Sequence, residues 1–236
     1  NVIMKYMKQK RNRSIFLIFS LVLLCSFLPS AVFAEWTIET VDSSKNILLD
    51  MPQKSIAVEK TTNRPHIVYG GDHLYHSYFD GTQWQYETID SIHAGMFPSI
   101  AIDSNNKIHI SYCDGYNNLI YVTNASGSWV PTTIYSVGGN ITYNMQSSIA
   151  VDSKNKVHIV FNAKNFFLYH ATNATGPWVT SLIQSLGSWV AFGLDPSIAM
   201  DSNDKAHISY YDYFNKKIRY VTNSCYAGWS LFDVND

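Results

Sequence analysis

The stretch Pro98-Ser99-Ile100-Ala101-Ile102-Asp103-Ser104-Asn105-Asn106-Lys107-Ile108-His109-Ile110-Ser111-Tyr112-Cys113 decides the fold. Two alternating runs flank a polar turn, and in a β-strand side chains two residues apart share a face. One face then carries Ile100, Ile102, Ile108, Ile110 and Tyr112, and the other carries Ser99, Ala101, His109 and Ser111. The pattern predicts a hairpin with one bulky and one small or polar side. No helical apolar period of useful length competes with it.

The same string returns along the chain. Ser55-Ile56-Ala57-Val58-Glu59, Ser148-Ile149-Ala150-Val151-Asp152 and Ser197-Ile198-Ala199-Met200-Asp201 repeat its opening. A histidine follows each opening, at His66, His109, His158 and His207, with spacings of 43, 49 and 49 residues. Next comes an aromatic segment centred on Tyr75, Tyr121, Tyr169 or Tyr220, and each unit ends with Trp84, Trp129, Trp178 or Trp229. Within the second unit, residues 99–103, 108–113, 119–123 and 129–134 read as strands separated by Asn-, Asp-, Ser- and Gly-rich turns. Four antiparallel strands per unit at a fixed period of about 45–50 residues predict an all-β propeller of four-stranded blades. The blades are expected at residues 54–90, 98–135, 147–184 and 196–234. Stacking the bulky face of one blade on the small face of the next would remove both from water, which a lone blade cannot do.

Residues 35–42, Glu-Trp-Thr-Ile-Glu-Thr-Val-Asp, match the fourth strand of a unit, Gln83-Trp84-Gln85-Tyr86-Glu87-Thr88-Ile89-Asp90. They are expected to form an orphan outer strand, and the ring is expected to be incomplete, with further strands beyond Asp236. Upstream, Lys5, Lys8, Lys10, Arg11 and Arg13 precede an apolar run over residues 15–28 that ends in small residues up to Ala34. This is the layout of a secretory signal peptide, too short to span a bilayer, with cleavage expected after Ala34. The expected location is therefore secreted, periplasmic or cell-surface, with no membrane span in the mature chain.

Removing the five leader cations leaves 12 basic against 18 acidic residues, a net charge of about −6, which argues against nucleic acid as a partner. Cys113 and Cys225 are the only mature cysteines, fall in different blades and are expected as free thiols. The sequons at Asn124, Asn140 and Asn173 read as ordinary turn residues.

The units resemble repeats of bacterial secreted propellers related in fold to the fucose-specific lectins and, more distantly, the sialidases. The resemblance covers residues 35–236 and rests on strings such as Pro98-Ser99-Ile100-Ala101-Ile102-Asp103-Ser104-Asn105 and Leu74-Tyr75-His76-Ser77-Tyr78-Phe79-Asp80-Gly81. It implies the fold and leaves the ligand open.

The histidines recur in every unit, whereas an active site needs one asymmetric cluster, so they read as structural and in need of buried partners. The tryptophan column reads as packing. The acidic turns at residues 103–107, 152–156 and 201–205 lack the glycine and the bidentate glutamate of a calcium loop and read as hairpin turns. A sialidase needs three converging arginines, and the mature chain has only Arg64 and Arg219. No catalytic residue, metal site or cofactor is expected.

What differs between units is informative, because a symmetric scaffold carries function in its loops. The loops joining second to third strands and those joining successive blades supply Asp114, Tyr116, Asn165, Asp212, Tyr213, Tyr143, Trp189 and Phe192 as expected ligand-binding residues. Aromatic faces beside Asp and Asn suit a sugar. The sequence thus points to a secreted, non-enzymatic binding protein for carbohydrate or a cell-surface polymer. The alternatives are a sialidase-like or polysaccharide-cleaving enzyme with its catalytic residues in further blades, or a structural, protein-binding propeller.

Overall fold

The computed structural model describes residues 37–45, 47, 55–137, 145–163, 167–184, 195–212, 215–225 and 228–234. The chain divides into two compact units, residues 1–40 and 41–236, and every strand among the described residues lies in the second. The signal peptide and its cleavage point fall outside the described residues.

Each repeat folds as a four-stranded antiparallel meander with its strands in chain order. The first blade is β1 Ile56–Val58, β2 Pro65–Gly70, β3 Leu74–Phe79 and β4 Trp84–Asp90; the second is β5 Met96–Ile102, β6 Ile108–Cys113, β7 Asn118–Thr123 and β8 Thr132–Ser136. The third is β9 Ser147–Val151, β10 Val157–Ala163, β11 Phe167–Thr172 and β12 Val179–Gln184; the fourth is β13 Ser197–Met200, β14 Ala206–Asp212, β15 Lys217–Cys225 and β16 Gly228–Asp233. The registers Ile100↔Ile110, Ile149↔Ile159 and Ile198↔Ile208 place the bulky residues of first and second strands opposite each other on one face.

That face packs against the small face of the preceding blade. Ile100, Ile108, Ile110 and Tyr112 cluster with Val68 and Leu74 of blade 1; Ile149, Ile159 and Phe161 with Ala101, Cys113, Leu119 and Tyr121 of blade 2; Ile198, Ile208 and Tyr210 with Ala150, Val160 and Leu168 of blade 3. The serines of the small face also bond across the seam. Ile149 N donates to Ser99 Oγ at 3.2 Å, Ile198 N to Ser148 Oγ at 3.4 Å, and Ser111 and Ser147 share a bond at 2.9 Å. The tryptophans close the outer seam: Trp129 meets His76 edge-on at 5.8 Å, Trp178 meets Tyr121 at 4.9 Å and Trp229 meets His170 at 5.1 Å. They pack between blades.

The two outermost faces make the same point from the other side. Ile149 is fully buried, whereas its counterpart Ile56 on the unstacked face of blade 1 is 55% exposed. Ser99 and Ala101 are buried, whereas Ser197 and Ala199 on the unstacked face of blade 4 are exposed.

Residues 37–43 lie in no strand among the described residues, and β3, β7, β11 and β15 each pair with a fourth strand of their own blade. The Val41 carbonyl accepts the Tyr86 hydroxyl, and Asp42 accepts that of Tyr69 at 2.7 Å. One sequence expectation is revised: Tyr75 and Tyr169 do not stand level with Tyr121 and Tyr220. The residue diagonal to the repeated histidine is His76 in blade 1 and His170 in blade 3, where blades 2 and 4 have Tyr121 and Tyr220.

Candidate functional site

The blades present two edges of different chemistry. One carries the hairpin turns between first and second strands, which are built alike in blades 2, 3 and 4. Asp103 Oδ1 accepts the N–H groups of Asn105 and Lys107 at 2.8 and 2.7 Å, Asp152 those of Lys154 and Lys156 at 2.9 and 2.7 Å, and Asp201 those of Asn203 and Lys205 at 2.8 Å each. The following residue turns left-handed, with φ of 58° at Asn106, 61° at Asn155 and 59° at Asp204, a conformation Asn and Asp tolerate better than most. These same residues latch the turns together. Ser104 donates to Asn155 Oδ1 from N and Oγ at 3.1 and 2.8 Å, and Ser153 to the Asp204 carboxylate at 2.8 and 2.9 Å.

The histidines complete this edge. His158 and His207 reach Asp152 and Asp201 through Nε2 at 3.4 and 3.2 Å, and His109 sits 3.5 Å from Asp103. With Nε2–H turned toward the carboxylate, Nδ1 is free to accept, and the Tyr121 and Tyr220 hydroxyls donate to it in His109 and His207 at 2.7 and 2.6 Å. Burial holds the His109 and His158 imidazoles below the ordinary histidine range. These groups are spent on structure, as are the sequon residues Asn124 and Asn173, whose Oδ1 atoms accept Ile108 N and Val157 N at 2.8 Å.

The other edge carries the loops between second and third strands and between blades. Asp114 is buried: Oδ1 accepts Tyr116 N at 2.7 Å and Asn118 N at 3.1 Å, and Oδ2 accepts Asn118 Nδ2 at 2.6 Å. Held by this turn, Tyr116 stands 74% exposed. Asp212 is likewise buried and accepts Asn215 N and Nδ2 at 3.0 and 2.8 Å and Arg219 Nε at 3.1 Å. Burial would raise its pKa, but these donors more than offset that and hold it below the usual carboxylate range. The two aspartates therefore shape their loops. Asn165, Tyr213, Tyr143, Trp189 and Phe192 lie outside the described residues.

Beside Tyr116 runs the linker from blade 1 to blade 2; a Cβ added to Gly115 would lie 3.6 Å from Met96 Sδ. The linker exposes Ile92 and half-exposes His93. Asp90 below it is buried, accepting His93 Nδ1 at 2.7 Å, Ile92 N at 2.8 Å and the Tyr112 hydroxyl. Gly70 and Gly95 let the backbones meet here, since a Cβ on Gly70 would stand 2.1 Å from Gly95 O.

Blade 1 adds a cluster at the loop between β2 and β3, which carries Asp72 and His73. The Tyr75 hydroxyl donates to Asp72 at 2.5 Å, Tyr69 stacks on Tyr75 at 5.5 Å, and Lys45 lies 5.3 Å over the Tyr75 ring. The bond to Asp72 pushes the Tyr75 pKa up to about 12. His73 is beside it, with a buried Nδ1 that has no hydrogen-bond partner. The Gly71-Asp72-His73 turn marks this loop in the sequence, while Lys45 lies in a segment that the repeat assigns to no blade.

No known family and no curated protein matches the sequence. Solved structures match its fold. The lectin of Aleuria aurantia, a six-bladed β-propeller described as having a novel fucose recognition mode, aligns with a TM-score of 0.55 at 13% identity over 72% of this chain and 55% of its own. The protein AofleA of Arthrobotrys oligospora aligns at 0.54 and 12% identity over 73% and 54%. An ulvan lyase aligns at 0.52 and 13% over 75% and 56%. The described blades are those of a β-propeller. The chain spans little more than half the length of these neighbours. Among the described residues no helix is long and apolar enough to cross a membrane.

Proposed function

We propose that the protein is a secreted, non-enzymatic binding propeller for carbohydrate or a cell-surface polymer, taken at the edge that carries the variable loops. The observation that carries this reading is the division of labour between the edges: the repeated Asp and His side chains serve the scaffold, while Tyr116 stands exposed on a loop braced by Asp114. An exposed aromatic on a rigid turn can stack on the apolar face of a sugar at low entropic cost. In this reading Tyr116, Tyr143, Trp189, Phe192 and Tyr213 provide ring faces, Asn165 provides polar contacts, and Asp114 and Asp212 hold their loops in shape. The fold neighbours favour a carbohydrate, since one is a fucose-recognising lectin and another a polysaccharide lyase. A glycan array tests the proposal: binding that Tyr116→Ala or Trp189→Ala weakens is expected, and absence of any such binding overturns it.

A polysaccharide-cleaving enzyme is the second reading, favoured by the His93–Asp90 pair at 2.7 Å on the same edge. A buried carboxylate that orients an accessible imidazole is the arrangement of a general base. Depolymerisation of an acidic polysaccharide that His93→Ala abolishes would establish it.

A further inference from the structure

Two of the four blades replace the tyrosine beside the repeated histidine with a second histidine, and the hydrogen count of the two resulting chains differs. In blade 3, Asp152 Oδ2 meets His158 Nε2 at 3.4 Å and His158 Nδ1 meets His170 Nε2 at 3.1 Å. These are two contacts, and two neutral imidazoles carry two N–H groups, so the chain is satisfied without charge. In blade 1, Glu59 Oε1 meets His66 Nε2 at 3.1 Å, His66 Nδ1 meets His76 Nε2 at 3.0 Å, and His76 Nδ1 meets Glu87 Oε1 at 2.7 Å. These are three contacts between two acceptors, and two neutral imidazoles leave one of them without a hydrogen.

Protonation of a carboxyl is the poor way to fill the gap. Glu87 Oε2 accepts Trp129 Nε1 at 3.2 Å and Glu59 Oε2 accepts the Thr62 hydroxyl, and a carboxyl ordinarily loses its proton at a lower pH than an imidazolium does. We propose that the Glu59–His66–His76–Glu87 chain retains a third proton at neutral pH, with His76 as the imidazolium, while the Asp152–His158–His170 chain of blade 3 stays neutral.

The surroundings agree. His76 is buried between the two acceptor systems, stacked on Tyr78 and edge-on to Trp129. Burial and the neighbouring His76 charge push His66 down, as expected of a chain that holds one extra proton and not two. The bond from His76 holds Glu87 below the usual carboxylate range. In blade 3 the position of Glu87 is taken by Ser181, which lies opposite His170 in the register. Trp229 covers the His170 ring, Asp152 and Asp204 face only His158, and burial drives His170 down to about 3.

The two chains therefore differ by one proton at neutral pH. Blade 3 refuses protons that the unfolded chain takes up below about pH 6.5, so its contribution is complete above that value and fades as pH falls toward 3. Each proton changes the unfolding constant about tenfold per pH unit in its window.

Histidine-selective nitrogen NMR of the whole chain at pH 7.5 tests the count directly. Two protonated nitrogens are expected on His76, and one protonated with one bare nitrogen on His170; a bare nitrogen on His76 overturns the proposal. Glu87→Gln provides the second arm, because its amide can donate to His76 Nδ1 and satisfy a neutral chain. Its His76 should then show one protonated and one bare nitrogen at the same pH, with His170 unchanged. Two protonated nitrogens on His76 in Glu87→Gln would likewise overturn the proposal.

Discussion

The turn edge and the loop edge of the same blades are built from similar residues, Asp, Asn, Ser and aromatics, and put them to opposite use. On the turn edge, Asp103, Asp152 and Asp201 sit in equivalent places and each closes its turn and faces a histidine. On the loop edge, Asp72 takes a tyrosine hydroxyl, Asp114 braces an exposed tyrosine and Asp212 takes an arginine. Repetition marks what every seam between blades requires, and variation marks where the molecule is free to specialise. If this division holds, substitutions on the repeated frame should cost stability, and those on the loop edge should cost binding.

The largest effect is expected where the frame is densest. Ile149 is fully buried between blades 2 and 3, packed with Ala101, Cys113 and Phe161, and Ile149→Ala should destabilise by about 3 kcal/mol through lost burial and a residual cavity. For a chain of this size that lowers the melting temperature by roughly 6–12 °C, read by calorimetry. Asp152→Ala should follow at about 2 kcal/mol, because Lys154 N, Lys156 N and His158 Nε2 lose their acceptor together. Its deficit should persist at high salt, since short hydrogen bonds and not long-range attraction are lost. Ser153→Ala breaks the hydroxyl arm of the latch to Asp204 at an exposed site and should cost about 0.5–1 kcal/mol. A Ser153→Ala cost equal to that of Asp152→Ala would mean that the turns are held by one another more than by their own aspartates.

The frame was legible in the sequence for the same reason that it repeats. Period-two alternation around Ser-Ile-Ala assigns faces without reference to anything distant, and Asn106, Asn155 and Asp204 mark turns by their tolerance of positive φ. Legibility failed where the answer depends on a partner in another strand. Aligning units on their tyrosines put Tyr75 and Tyr169 level with Tyr121 and Tyr220; a slip of one residue exchanges the faces of a strand, so His76 and His170 went unseen. Asp114 and Asp212 read as ligand-binding residues, and sequence alone does not show that their oxygens also close their own loops, because an aspartate near Gly, Tyr or Asn looks alike in either use. Only the burial of their oxygens distinguishes the two.

Tyr116 is the residue at which the two edges separate most cleanly, because its stability effect should be the smallest and its functional effect the reverse. Its backbone N–H donates to Asp114, a bond that Tyr116→Ala preserves, while the residue is 74% exposed. The substitution should leave unfolding within about 0.5 kcal/mol of the wild type. A ring that stacks on a sugar contributes on the order of 1–1.5 kcal/mol beyond its buried area, so glycan affinity should fall about tenfold or more. Asp114→Ala distinguishes bracing from contact. It frees Tyr116 N and Asn118 N, and should both loosen the loop and weaken binding, while Tyr116→Phe should retain most of the affinity. Equal melting and equal affinity for Tyr116→Ala and wild type would leave the exposed ring without a role and move the search to substitutions of Tyr143, Trp189 and Phe192.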